Sequence, residues 1–148
     1  PEKVTDKSTE SMYSALCLFT LQVSMFETLL AVGFYPQALS AHSFGEFAQI
    51  TASGVLSFKD MVRFLIERQK ALSSIEGKYV MFAVNNSAKL DLSAMPFQVY
   101  VANVNTNYQT SFVCQEKDYP EIRQILKTQR IASVPVNVDF PYHTPWLE

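Results

Sequence analysis

Apolar residues recur at spacings of three and four over the first third of the chain, at Met12, Leu16, Phe19, Val23, Phe26 and Leu30. That period predicts a helix, with Ser8-Thr9-Glu10 as its start. Ala15, Leu18, Leu21 and Met25 add apolar surface on the remaining sides, so the helix is expected to be buried between layers. Gln22, Ser24, Glu27 and Thr28 interrupt the run, which argues against a membrane span. Gly33 is a helix stop, and Tyr35-Pro36 opens a connection into a short expected strand, Gln37 to Ala41. Glu46 to Ala52 reads as a second helix ended by Ser53-Gly54. Ser57-Phe58-Lys59-Asp60 reads as the cap and first turn of a third, amphipathic through Met61, Phe64, Leu65 and Leu72 to about Ser73.

From Gly77 the period shortens. Tyr79 to Val84, Phe97 to Val104 and Thr110 to Gln115 read as strands, the last two separated by the turn-prone Asn105-Thr106-Asn107. Tyr119-Pro120-Glu121 starts a helix with Ile122, Ile125 and Leu126 on its apolar face, and Ile131 to Val138 closes with a strand. This order is compatible with helices layered on an antiparallel, ferredoxin-like sheet.

The composition narrows the function classes. With 148 residues, 48% hydrophobic and 18% charged, the chain is a foldable globular sequence. A formal charge of -2 provides no basic field for nucleic acid and no polybasic membrane patch. Cys17 and Cys114 lie far apart without a Cys-x-x-Cys pair, which points to a reduced, cytoplasmic chain with both thiols as small core residues. His42 and His143 are the two histidines, too few for a histidine-rich metal site. Residues 1–10 lack the apolar core of a signal peptide, and the end at Trp146-Leu147-Glu148 reads as a cut within a longer polypeptide.

The stretch with candidate chemistry is Ala41-His42-Ser43-Phe44-Gly45-Glu46, a small-x-Ser-x-Gly core ahead of a helix. It reads as a nucleophile elbow, in which a strained turn lifts the serine hydroxyl clear and small residues on either side avoid collision. The following helix aims its N-terminal amides at Ser43, and the backbone N–H of Phe44 becomes the candidate oxyanion donor. The bare pentapeptide also occurs by chance in many soluble chains.

The longer string His42-Ser43-Phe44-Gly45-Glu46 resembles the G-H-S-x-G-E signature of malonyl-type acyltransferases, with Ala41 at the place of the first glycine. These enzymes and domains load acyl carrier proteins in fatty-acid and polyketide synthesis. Arg68 lies at the family's spacing from the serine, where the resemblance implies a grip on the free carboxylate of a malonyl-type substrate. A planar guanidinium suits that task, although an arginine on a helix is by default a solvated charge. His143, within Asp139-Phe140-Pro141-Tyr142-His143-Thr144-Pro145, falls where the family places its general base. Gly77 to Val84 resembles the segment that opens the family's small subdomain. Asn105 matches a family asparagine in an A-x-x-N-x-P-like segment, with Asn107 at the proline place. Its default role is a turn asparagine satisfying its own backbone. His42, Asn105 and Tyr142 are the further candidate pocket residues.

The resemblance implies an α/β fold: part of an α/β-hydrolase-like large subdomain (1–75), an inserted ferredoxin-like α+β subdomain (76–138), and a return to the large subdomain with the histidine motif (139–148). The family packs two helices on the small sheet, whereas Asn85 to Pro96 here has room only for a loop or a single turn. The implied chemistry is two-step transfer through acyl-Ser43, from a CoA thioester to the phosphopantetheine thiol of an acyl carrier protein, with His143 as base and no bound cofactor. Implied partners are the carrier protein and other domains of a synthase, with neither nucleic acid nor membrane. The family's Gly-Gln-Gly segment, a source of a second oxyanion donor, lies before Pro1, so this piece alone is expected to be poorly active. Two rivals stand beside this reading: a serine esterase or thioesterase of the α/β-hydrolase kind, and a noncatalytic acyltransferase-like scaffold.

Overall fold

The computed structural model describes residues 7–85, 90 and 95–147. It divides into two units, one up to Ser74 and one from Ile75.

The first unit is helical, with α1 (Lys7–Ala31), α2 (Gly45–Ala52) and α3 (Phe58–Ser73). Gly33 ends α1 in a left-handed conformation, φ 87°. There the Phe34 and Gly33 amides donate to the carbonyls of Leu29 (2.9 Å) and Leu30 (3.0 Å), closing the last turn. Ser57 caps α3 reciprocally: its Oγ accepts from the Asp60 amide at 3.1 Å and donates to Asp60 Oδ2 at 2.6 Å. Phe19 and Val23 of α1 meet Met61 and Leu65 of α3 in a buried cluster, with Phe44, Phe47 and Ile50 packed against it.

Three expectations fail in this unit. α1 is not buried on all sides, because α2 and α3 cover only the stripe through Phe19 and Val23, leaving Tyr13, Leu18, Leu21, Met25 and Leu29 exposed. Cys17 shares that open side and is exposed instead of being a core thiol. By length and composition, Thr9–Ala31 would also suffice to cross a membrane, its polar interruptions notwithstanding. The third concerns Gln37 to Ala41, which forms no strand. A strand needs a neighbour to take its N–H and C=O groups, and here the Leu39 carbonyl is instead met by Gln49 Nε2 at 3.0 Å.

The second unit is an antiparallel sheet of β1 (Tyr79–Asn85), β2 (Val99–Val104), β3 (Gln109–Gln115) and β4 (Ser133–Val136), with α4 (Tyr119–Thr128). The strand order is β2-β3-β1-β4. Phe82 opposes Phe112 and Val80 opposes Cys114, so these four share the face on which Ile122 and Leu126 of α4 are packed. Period two explains the rest, because Tyr79, Met81, Val113 and Tyr100 then share the other face. The segment expected to form a loop or single turn, Asn85 to Pro96, falls largely outside the described residues.

Both sheet edges are interrupted. Asn85 N donates to Ala132 O at 3.2 Å, which makes Phe82 and Pro135, three pairs along, a non-hydrogen-bonded pair. Pro135 therefore sacrifices no bond to β1, and its nitrogen, without a hydrogen, faces outward. On the opposite edge the register slips between Val101 and Asn103, a bulge in β2.

Candidate active site

Ser43 stands at the mouth of α2 with φ 54°, in the left-handed region that a side chain with a Cβ seldom enters. The turn holding it there is tight: the amides of Gly45, Glu46 and Phe47 donate to the carbonyls of His42, Ser43 and Phe44 at 3.1, 3.1 and 3.3 Å. Ser43 and Phe44 are half-buried, while the His42 and Glu46 side chains are exposed. A Cβ added at Gly45 would lie 3.7 Å from that of Ala41, an ordinary contact. A methyl group at Gly45 would therefore fit beside Ala41.

Three non-glycine residues among those described have positive φ: Ser43, Arg130 and His143. Arg130 follows the end of α4, where the Ile131 amide reaches back to Leu126 O at 2.9 Å and the Arg130 amide to Lys127 O at 3.0 Å. That pair is an ordinary helix-ending motif and accounts for its backbone. Ser43 precedes a helix and His143 lies in a loop, so neither has that explanation. Backbone strain of this kind costs about 1–3 kcal/mol per residue and gathers at functional sites.

Arg68, half-buried on α3, places its guanidinium carbon 5.3 Å from the centroid of the Phe47 ring. Phe47 is itself set edge-on to Phe44, centroids 5.2 Å apart, and lies 5.7 Å from Phe64. Phe64, expected on the buried face of α3, is 49% exposed, and the buried stripe is Met61, Leu65, Gln69 and Leu72.

In the second unit, His143 is exposed with φ 61°. Thr144 behind it is buried, and its hydroxyl donates to the Pro141 carbonyl at 2.6 Å. The Tyr142 amide donates to Phe140 O at 2.8 Å, and the two rings meet at 68°. Residues Pro145–Leu147 form a short 3-10 turn, whose Trp146 ring lies 4.8 Å from Tyr79 and 4.6 Å from Tyr100. The histidine loop is thus pinned immediately after its tip to β1 and β2.

Asn105 sits in the β2–β3 turn, but its side chain does not serve its own backbone as expected. Its Nδ2 donates to Gln109 Oε1 at 3.3 Å and Ser111 Oγ at 3.2 Å, and Gln109 Nε2 continues to Asn85 Oδ1 at 3.2 Å. The turn backbone is held by Thr106, whose Oγ1 accepts from Tyr108 and Gln109 amides at 3.1 and 3.0 Å. Among the described residues, no group of three His, Cys, Asp or Glu is placed to hold a metal ion.

Two residues with a part in this arrangement carry no motif. Phe47 could have been found as an aromatic one helical turn beyond the elbow serine. Trp146 could have been found as the one tryptophan, close behind a candidate histidine.

Comparison with known proteins assigns the chain to a family. Residues 3–148 match the family model described as the acyl transferase domain. The phthioceranic/hydroxyphthioceranic acid synthase of Mycobacterium tuberculosis (strain ATCC 25618 / H37Rv) is 30% identical over 135 residues, covering 88% of this chain and 6% of the synthase. A polyketide biosynthesis acyltransferase homolog of Bacillus subtilis (strain 168) is 25% identical, over 99% of this chain and 46% of that protein. Among solved structures, the acyltransferase domain from module 8 of the salinomycin polyketide synthase superposes with a TM-score of 0.75 at 28% identity, covering 86% of this chain and 31% of that one. The malonyl CoA-acyl carrier protein transacylase of Coxiella burnetii superposes with a TM-score of 0.81 at 23% identity, a likeness of fold that covers 99% of this chain and 49% of that one. The chain thus spans half or less of the length of each of these relatives.

Proposed function

This chain belongs to the acyl transferase domain family, and from that premise we propose that it transfers a malonyl-type acyl group from a CoA thioester to an acyl carrier protein through acyl-Ser43. The observation that carries the reading is the left-handed Ser43 at the start of α2, φ 54°, which the local chain has no helix-ending reason to adopt.

In the proposed reaction, His143 accepts the Ser43 hydroxyl proton as Oγ attacks the thioester carbonyl. The Phe44 amide stabilises the oxyanion. Collapse of the tetrahedral intermediate expels the CoA thiolate, which takes the proton from the imidazolium. The phosphopantetheine thiol of the carrier then gives its proton to His143, attacks acyl-Ser43 and releases the serine oxygen, reprotonated by the same imidazolium. Arg68 pairs with the distal carboxylate of the acyl group. Asn105, His42 and Tyr142 contribute to the pocket, and no resident cofactor takes part.

The fold assignment belongs to the same proposal. The sheet order β4-β1-β3-β2, read from its far edge with antiparallel neighbours, supports reading this unit as a ferredoxin-like subdomain. It is inserted, over 76–138, in an α/β-hydrolase-like large subdomain comprising 1–75 and 139–148. The setting is a cytoplasmic fatty-acid or polyketide synthase system, with the carrier and neighbouring synthase domains as partners.

The test is intact-mass analysis of the chain after incubation with malonyl-CoA. A slowly formed malonyl adduct that maps to Ser43, and is absent from Ser43→Ala, is the expected result. A Ser43 still unmodified after prolonged incubation, with no mass gained by wild type or by Ser43→Ala, overturns the reading.

A further inference from the structure

The Arg68 guanidinium carbon lies 5.3 Å from the centre of the Phe47 ring, inside the range in which the negative face of an aromatic attracts a cation. Phe47 is the third residue of α2, the helix that begins two positions after Ser43, so one ring connects the elbow's own helix to the arginine on α3. Its orientation is fixed from two directions. Phe44 meets it edge-on at 76°, and Phe64, one turn before Arg68 on α3, meets it at 48°.

A long arginine side chain surrenders much rotamer freedom when held in one place, and that loss weakens carboxylate binding unless the side chain is fixed beforehand. A ring face at this distance attracts the guanidinium charge and so adds a restraint on where the head group sits. Leucine or methionine in the same place could fill the volume but offers no charged-group attraction.

We infer that Phe47 is a specificity-positioning residue: its ring holds Arg68 ready for a carboxylated acyl group and so sets the preference for malonyl over neutral acyl donors. This rests on the acyltransferase reading above. Phe47 touches no reacting atom and acts through Arg68.

The test compares acylation rates of Ser43 by malonyl-CoA and acetyl-CoA in the full chain, for wild type, Phe47→Leu and Phe47→Tyr. Phe47→Leu should lower the malonyl-to-acetyl rate ratio about three- to tenfold, and Phe47→Tyr, which keeps the aromatic face, should restore it. A merely structural role, such as support of the Phe44 backbone, would slow both donors alike. Equal losses in Phe47→Leu, or a ratio that Phe47→Tyr fails to restore, would overturn the inference while leaving acyl transfer intact. A wild-type chain that forms no acyl-Ser43 with either donor overturns the acyltransferase reading, and this inference with it. A second measurement is independent of turnover. The Arg68 Nε proton resonance should lose its ring-current displacement in Phe47→Leu, and an unmoved resonance would count against the contact itself.

Discussion

Trp146 meets Tyr100 edge-on, ring centroids 4.6 Å apart at 86°, while its other neighbour, Tyr79, lies 4.8 Å away on β1. A segment otherwise built of loop and a single 3-10 turn is thereby fastened to the sheet three residues after His143. Trp146→Ala should cost about 2–3 kcal/mol of stability in denaturant unfolding, and Trp146→Phe less than half of that. Because Trp146 is the one tryptophan in the chain, its emission reports this anchor directly. A wild-type emission maximum already at the fully solvated position would contradict the packing.

Arg68→Ala separates a carboxylate-binding arginine from a surface charge. Losing a charged hydrogen-bonded pair should reduce malonyl loading of Ser43 by about 10- to 100-fold, with acetyl loading little changed. Equal effects on the two donors would assign Arg68 to folding alone.

His143→Ala tests the base. Serine acylation should slow by about 10²- to 10⁴-fold, with donor binding nearly unaffected. Single-turnover rates at saturating malonyl-CoA separate the two effects, and a rate within a few-fold of wild type would remove His143 from the mechanism.

Gln69 presents a different test, because it is only 3% exposed and its Nε2 lacks a hydrogen-bond partner. A buried donor left in this state costs about 1–3 kcal/mol, whereas an apolar replacement of similar shape avoids the penalty. Gln69→Met should therefore leave the thermal midpoint unchanged or raise it by a few degrees. A clear drop would show that the amide has a partner in solution.

The thiols should behave oppositely. Burial, with a smaller contribution from the Asp118 carboxylate, pushes Cys114 up to about 12, while Cys17 is exposed. Iodoacetamide at pH 8 should label Cys17 in the native chain and Cys114 only after unfolding. The folded state retains the Cys114 proton more tightly than the unfolded chain, so this contribution to stability is fully present below about pH 9. It is lost progressively as pH rises toward 12. Urea midpoints across that interval should fall, and in Cys114→Ala the decline should be shallower.

The sequence announced these elements unevenly. Local signals were reliable where chemistry acts over a few residues. Ser57 and Asp60 close the start of α3, Gly33 and Gly54 adopt the positive φ that a helix stop requires, and the small-x-Ser-x-Gly motif marks the left-handed Ser43. What depends on distant neighbours was not legible. Apolar positions around α1 could show how greasy the helix is, but not that α2 and α3 cover only one stripe of it, nor that Cys17 lies on the open side. Gln37 to Ala41 has strand composition, yet pairing requires a second chain segment that no local pattern supplies. The same gap hid part of the candidate site. The elbow motif anticipated a strained serine, but the left-handed His143, the seating of Arg68 on Phe47 and the pinning of the histidine loop by Trp146 arise from contacts across the chain.

Pro135 gives the sheet a quiet kind of independence. An incoming strand seeking to zip onto β4 finds a ring where it needs a hydrogen, and one approaching β2 meets the bulge around Ala102. Each edge of the sheet is thus a poor template for an added strand. That reluctance is vested in two backbone positions, one on each edge.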